Sequence, residues 1–375
     1  VYERLGLVSE AESMYLESMS LREKIIGKND LRYVENQQNL ALFYWLTNRI
    51  VESKRLYLQS NENQKKLLTN ATYHLSEQEL LLFNLKFLKN LDKFLSFSQI
   101  YNDSKLTSAC FNDILFYKSF LLTAKQQIGQ LIYSDTNAVS KINLLNSYYY
   151  RLSLEYSKPL SKRDSLNVIL LEDQANFLEK ELVIKYARLS ELKKEIIWEK
   201  VQETLGPSEV AIEFFDYKLF TKNLTDSINY AALVLLPNDT TPHFVPLFEE
   251  KEINQLLSNS QSRRMDYVVD VYHSPNDRGA SPIKDQSKSL YELIWKPLEP
   301  YLKGVNKIYF SPSGLLHRIN QNAVAINDKI LLSDKYDLVQ LSSTRQVVAN
   351  KIVKEAKIHT ACIYGGINFE MDSTT

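Results

Sequence analysis

Cysteine, histidine, long apolar runs and charge of one sign are all scarce or missing in this chain, and each shortage removes a class of function. Two cysteines, Cys110 and Cys362, occur in 375 residues. That count argues against a secreted scaffold stapled by disulfides and suits a reducing compartment, so a cytoplasmic location is the expectation. The five histidines, His74, His243, His273, His317 and His359, show neither HExxH nor paired-ligand spacing, so no metal site is expected. No run approaches the roughly 20 apolar residues that cross a bilayer, so no membrane segment is expected. Lys plus Arg balance Asp plus Glu at 45 each, which leaves no overall field to draw the chain onto nucleic acid.

Phosphate-binding patterns are absent too. GGINF (Gly365 to Phe369) has two glycines but opens no GxGxxG, and no GxxxxGK[ST] occurs, so no nucleotide cofactor is expected. SPSG (Ser311 to Gly314) is not the GxSxG elbow of a hydrolase, and a serine between Pro and Gly reads as turn chemistry.

A repeat is present in the first 70 residues. VSEAESMYLESM (Val8 to Met19) aligns with VESKRLYLQSN (Val51 to Asn61) at an offset of 42 residues, which sets Glu10 on Glu52, Tyr15 on Tyr57, Leu16 on Leu58 and Ser18 on Ser60; Tyr2 and Tyr44 obey the same offset. Between the copies, NQQNLALFYWLTN carries apolar residues at helical spacing and ends on turn formers. Paired helices of this kind stack into arrays whose groove can hold a peptide. The stretch REKIIGKNDLRYVENQQNLALFYWLTNRIVESKRLYLQS resembles the longer variety of tetratricopeptide repeat found in kinesin light chains. That resemblance implies a protein or peptide partner for residues 1–70, although two copies could also cap the next domain. The chain opens at Val1 rather than Met, which sets the expectation of an upstream segment.

Residues 71–205 are almost free of Gly and Pro and read as one helical region. Within it, Leu178, Leu182, Tyr186, Leu189 and Ile196 fit one apolar face, with the Glu and Lys of EKELVIKYARLSELKKEIIWEK largely elsewhere. LGPSE (Leu205 to Glu209) ends the helical period. Beyond it VAIEFFDY, YAALVLLP and HFVPLF read as strands. A helix-like LYELIWKPLEPYL follows, then the apolar strands KIYFSPSG, YDLVQLSS and TACIYGGI. This alternation predicts a mostly parallel sheet in residues 206–375. The loop from Ser258 to Lys284 reads as flexible. The fold class expected is therefore α followed by α/β.

WEKVQETLGPSEVAIEFFDY, YFSPSGLLHRI, ILLSDKYDLVQLSST and ACIYGGINF, taken in order after helical repeats, resemble the CHAT family, caspase-like peptidase domains associated with tetratricopeptide repeats. Many members carry Asp where this chain has Ser313 and Pro where it has Asn320. The resemblance implies an incomplete caspase-like sheet here and, in the complete protein, a cysteine peptidase acting on protein substrates. It also implies a His in an HxAxHG-like run and a Cys in an SAC-like run. Neither run is present, so no catalytic residue is assigned within the chain. The residues expected to shape the domain are the turn formers Pro312 and Gly314 and the pair Gly365 and Gly366. His317 and Cys362 are read as structural rather than as a dyad: one in a turn, the other a small hydrophobe in an apolar run. The alternative to a peptidase is an interaction scaffold with a degenerate caspase-like domain.

Overall fold

Capping residues divide the amino-terminal half into helices. The structure, a computed structural model, describes residues 7–133, 135, 138–187, 195–221, 224–258, 289–327 and 329–348. Helix α1 (Val8–Ile26) stops at Gly27, whose positive φ of 79° lets its N–H return to the carbonyls of Arg22 and Glu23. Helix α2 (Leu31–Leu46) starts on Asp30, which accepts from the Arg32 N–H at 2.8 Å. Helix α3 (Ile50–Ala71) follows, and α4 (Glu77–Tyr101) opens on a reciprocal Ser76 and Glu79 box. Asp103 caps α5 (Ser104–Tyr133), accepting from Lys105 and Leu106. Helices α6 (Val139–Tyr156), α7 (Ser165–Ala187) and the short α8 (Trp198–Gln202) complete the series. Helix α7 keeps Leu178, Leu182 and Tyr186 buried and ends at Ala187, so Ile196 lies outside it.

Two compact units emerge, one drawn from Val1–Leu68, Asn84–Phe120 and Lys194–Ala349, the other from Thr69–Phe83 and Leu121–Lys193. In the first, the two copies of the sequence repeat occupy α1 and α3. Tyr15 meets Phe43 at 5.5 Å between ring centres, while Tyr57, wholly buried, lies 5.2 Å from Phe97 and 6.5 Å from Trp45. Ser60 Oγ accepts from the buried Gln38 amide at 2.6 Å. In the second unit, Leu145, Tyr148 and Leu152 of α6 pack on Leu171 and Ala175 of α7.

Strand β1 (Glu209–Phe220) begins three residues after Gly206 and is buried without a break from Val210 to Phe215, its successive side chains pointing to opposite covered faces. Val210, Ile212 and Phe214 join one apolar layer with Trp295, Leu298 and Ile308, whereas Ala211, Phe215 and Tyr217 join Trp45, Phe97 and Phe111 on the other. With β2 (Leu224–Leu235), β3 (His243–Glu249), β4 (Lys307–Ser311) and a later strand Asp337–Gln340 it forms a five-stranded sheet, β3-β2-β1-β4 and that last strand in order. β1 pairs antiparallel with β2, and β2 with β3, while β1, β4 and the last strand run parallel. The sheet is thus mixed rather than mostly parallel. The reason is chain length: β1 and β2 extend through polar residues such as Lys218 and Ser227 until only a tight connection remains, and a parallel crossover needs about a dozen residues or more.

Helix α9 (Glu250–Ser258) and α10 (Leu290–Ile294) cover the far face. α10 opens on a Ser289 and Glu292 capping box, and the stretch read as one helix continues as a 3-10 segment, Lys296–Tyr301, because Pro297 and Pro300 lack the N–H an α-helix requires. A small hairpin, β5 (Ala325–Asn327) and β6 (Ile330–Leu331), precedes the last sheet strand, hereafter β7. TACIYGGI, with Cys362, Gly365 and Gly366, and all but the first residue of the Ser258 to Lys284 loop, lie outside the described residues. Among the described residues no helix is long and apolar enough to cross a membrane.

Beyond its pairing with β4, β1 is held by α4. The Lys218 N–H donates to Asp92 at 3.2 Å and the Phe220 N–H to Ser96 Oγ at 2.9 Å. Burial pushes the Asp92 carboxyl up to about 6, and neighbouring Asp216 pushes the same way against the Lys218 N–H. A raised carboxylate pKa means that ionisation is disfavoured in the folded state, so stability is greatest below the ordinary value and falls as pH rises to about 6. Asp92→Asn keeps the acceptor and removes the charge. Urea titrations are expected to find it more stable than the parent at pH 7.5 and equal to it at pH 4.

Candidate functional site

The most unusual side chain in the sheet is Glu213, a carboxylate in the middle of the apolar β1 run and 0% exposed. Strand alternation places it on the face that packs against the helices, opposite Ser311 at the carboxyl end of β4. A buried carboxylate requires compensation, and two segments supply it. From α5, Lys118 brings its Nζ to 2.9 Å from Oε2. From the segment after β7, the Ser343 hydroxyl at 3.1 Å, the Thr344 hydroxyl at 2.7 Å and the Thr344 N–H all donate to Oε1. Lys118 also donates to the Ser311 carbonyl (3.0 Å), the Ser311 Oγ (2.8 Å) and the Pro312 carbonyl (3.2 Å). Ser311 in turn donates its proton to the Ser342 carbonyl at 2.9 Å, and Arg345 reaches Ser119 on α5. The carboxyl ends of the parallel strands β4 and β7 are therefore tied to one α5 turn through a single ion pair. Burial lowers the Lys118 pKa, an effect that Glu213 opposes.

The turn after β4 meets this cluster. Gly314 has φ +51°, a conformation that L side chains rarely adopt, and a Cβ there would fall 2.2 Å from the Tyr230 hydroxyl. That hydroxyl accepts from the Leu315 N–H at 2.9 Å, and Ser313 donates to Asp216. Pro312 is buried and contributes its carbonyl to Lys118. The turn residues singled out in the sequence thus sit against the cluster, with Gly314 fixed both by its backbone angle and by Tyr230. Gly365 and Gly366 lie outside the described residues.

His317 lies in the 3-10 segment Gly314–Arg318 and is exposed. Partial burial lowers its pKa, the Lys118 charge lowers it further and Asp216 opposes both. Cys362, its partner in the dyad considered above, lies outside the described residues. Cys110 is wholly buried on α5 among apolar side chains, which raises its thiol pKa far above that of a nucleophile.

Ser311 and Lys118, 2.8 Å apart, have the composition of a nucleophile and its base. Their surroundings rule against that chemistry: Ser311 is 0% exposed, its proton is held by a backbone carbonyl, and the ammonium is shared among a carboxylate, a hydroxyl and two carbonyls. The arrangement holds strand ends and turn in place. Among the described residues no group of three or more His, Cys, Asp or Glu is placed to hold a metal. Sequence reasoning passed over Lys118, Glu213, Tyr230 and Thr344. The available signal was a lone charge inside each of two apolar runs, VAIEFF and LFYKSFLL.

Two measurements test this construction. Lys118→Met strands the buried Glu213 and is expected to lower the unfolding free energy by about 3–5 kcal/mol, while the Lys118→Met, Glu213→Leu pair loses much less; equal losses would mean that the ion pair is not the tie. Gly314→Ala is expected to lose about 1–3 kcal/mol. Combined with Tyr230→Phe the losses should add to less than their sum, because removing the hydroxyl removes the clash.

No protein-family model matches the chain, and no curated protein is similar to it, so any functional reading rests on the residues and geometry above.

Proposed function

We propose that this chain joins a protein-binding array of tetratricopeptide-like helices to the amino-terminal part of a CHAT-type, caspase-like domain, and that the complete protein is a cysteine peptidase acting on protein substrates. The observation that carries the reading is the convergence of the carboxyl ends of β4 and β7 on the Lys118 and Glu213 pair. Open α/β sheets place their chemistry beyond the carboxyl ends of parallel strands, and here those ends are held by a side chain from the helical layer. Binding of a peptide or protein to the helices would then bear on the strand ends through α5. Thiolate attack needs a Cys with a His to manage its proton and N–H groups for the oxyanion; no residue of this chain is assigned to those roles. The two widely separated cysteines support a reducing, cytoplasmic setting as part of this reading.

The engagement of Lys118, Ser311 and Glu213 with one another and with backbone favours a second reading, a non-catalytic scaffold. Limited alkylation of the natural polypeptide with an iodoacetamide probe, mapped by mass spectrometry beside a casein cleavage assay, separates the two. The peptidase reading expects one fast-reacting cysteine other than Cys110 and Cys362, with cleavage lost as it is labelled. Absence of cleavage selects the scaffold. Fast labelling of Cys362, with loss of cleavage in His317→Ala, would place the dyad in this chain and overturn the assignment.

A further inference from the structure

Helix α7 buries Leu171, Ala175, Leu178 and Leu182 on its inner side, yet its other side is also apolar. Leu166 is 81% exposed, Phe177 72%, Leu170 55% and Ile184 41%. At 3.6 residues per turn these four fall within an arc of about 40°, a narrow stripe along a helix of about 35 Å. An exposed apolar stripe running along a helix, rimmed by polar residues, marks an interaction surface, so one side of α7 is built for a partner.

The stripe matches itself. Phe177 is its centre, with Leu170 seven residues before and Ile184 seven after. Along one edge of the stripe stand Asp173 and Lys180, four residues before and three after the centre; along the other stand Gln174 and Glu181, three before and four after. When two copies of a helix lie antiparallel about a two-fold axis, each edge faces the same edge of its mate. Apposition at Phe177 therefore sets Asp173 of one copy against Lys180 of the other, and Gln174 against Glu181, twice each. Asp173 and Gln174 are exposed, and Lys180, which also donates to Glu79 at 2.9 Å, keeps 38% of its side chain exposed. Leu170, Phe177 and Ile184 and the two polar edges are self-complementary, which is the requirement of an isologous interface, while Leu166 lies outside the matched span.

We propose that the occupant of this face is a second copy of the chain, bound through antiparallel pairing of α7 with its counterpart about Phe177. Four partly exposed apolar side chains offer less than the ~800 Å² per partner of a standard interface, so a reversible, micromolar dimer is expected.

Sedimentation equilibrium of the chain from about 1 to 200 µM tests this, with circular dichroism melts to check that each variant folds. The parent is expected to pass from monomer to dimer across that range, and Phe177→Glu to stay monomeric. Asp173→Lys alone and Lys180→Asp alone each set like charges together and should weaken the dimer by about three- to tenfold, while the Asp173→Lys, Lys180→Asp double variant should return to within about threefold of the parent. A parent that is monomeric throughout overturns the proposal and leaves the stripe to another segment or a different protein. A dimer indifferent to Phe177→Glu, or one the double variant fails to restore, overturns the antiparallel geometry.

Discussion

One buried ion pair, Lys118 with Glu213, sets the arrangement of the sheet-bearing unit. A carboxylate on the helix-facing side of the central strand is tolerable only if a cation and several donors reach it, because removing either charge leaves the other stranded in a low-dielectric interior. Lys118 can reach it only with α5 lying across the carboxyl end of β4, and Ser343 with Thr344 can reach it only if the chain turns back directly after β7. Helix, strand end, turn and the segment after β7 are thus mutually determined by one side chain. An apolar residue at position 213 would pack against the helices as well, but it would not specify where α5 and the two strand ends must meet.

The same constraint bears on function. The Lys118 ammonium donates to Ser311 and Pro312, Glu213 Oε1 accepts from Ser343 and Thr344, and Oε2 is met by the ammonium charge alone, so the cluster is a fastening rather than a reactive centre. Its position is what matters. Beyond the ends of parallel strands a sheet presents loops whose backbone is free of ladder bonds, and here those loops are tied to α5, a helix of the region that follows the tetratricopeptide-like repeats. The proposed peptidase and the proposed scaffold share this linkage and differ only in whether a thiolate is placed near it.

Much of the local architecture was legible in the sequence. Gly206 and Pro207 mark the change from helical to strand period, and β1 starts at Glu209. The offset of 42 residues maps onto the first and third helices, and Gly314 in SPSG does take a positive φ. The sheet's sense was misread because polar residues hide the ends of β1 and β2, and strand length decides whether the chain has enough residues left to cross over. Lys118 and Glu213 were passed over for a different reason: each looks like an isolated charge in an apolar run, and their partnership spans 95 positions of chain.

The sequence by itself determined where helices and strands form, since capping residues, breakers and alternation act over a few neighbouring positions. It contains as well no cysteine-framework spacing, no zinc-ligand motif and no phosphate-loop pattern. Only the tertiary structure decided that strands β1, β4 and β7 run parallel beside two antiparallel neighbours, that Glu213 and Lys118 neutralise one another, and that Tyr230 forbids any Cβ at position 314. These depend on residues far apart in the chain, and no local rule can assign a buried charge its partner before the layers have closed around it.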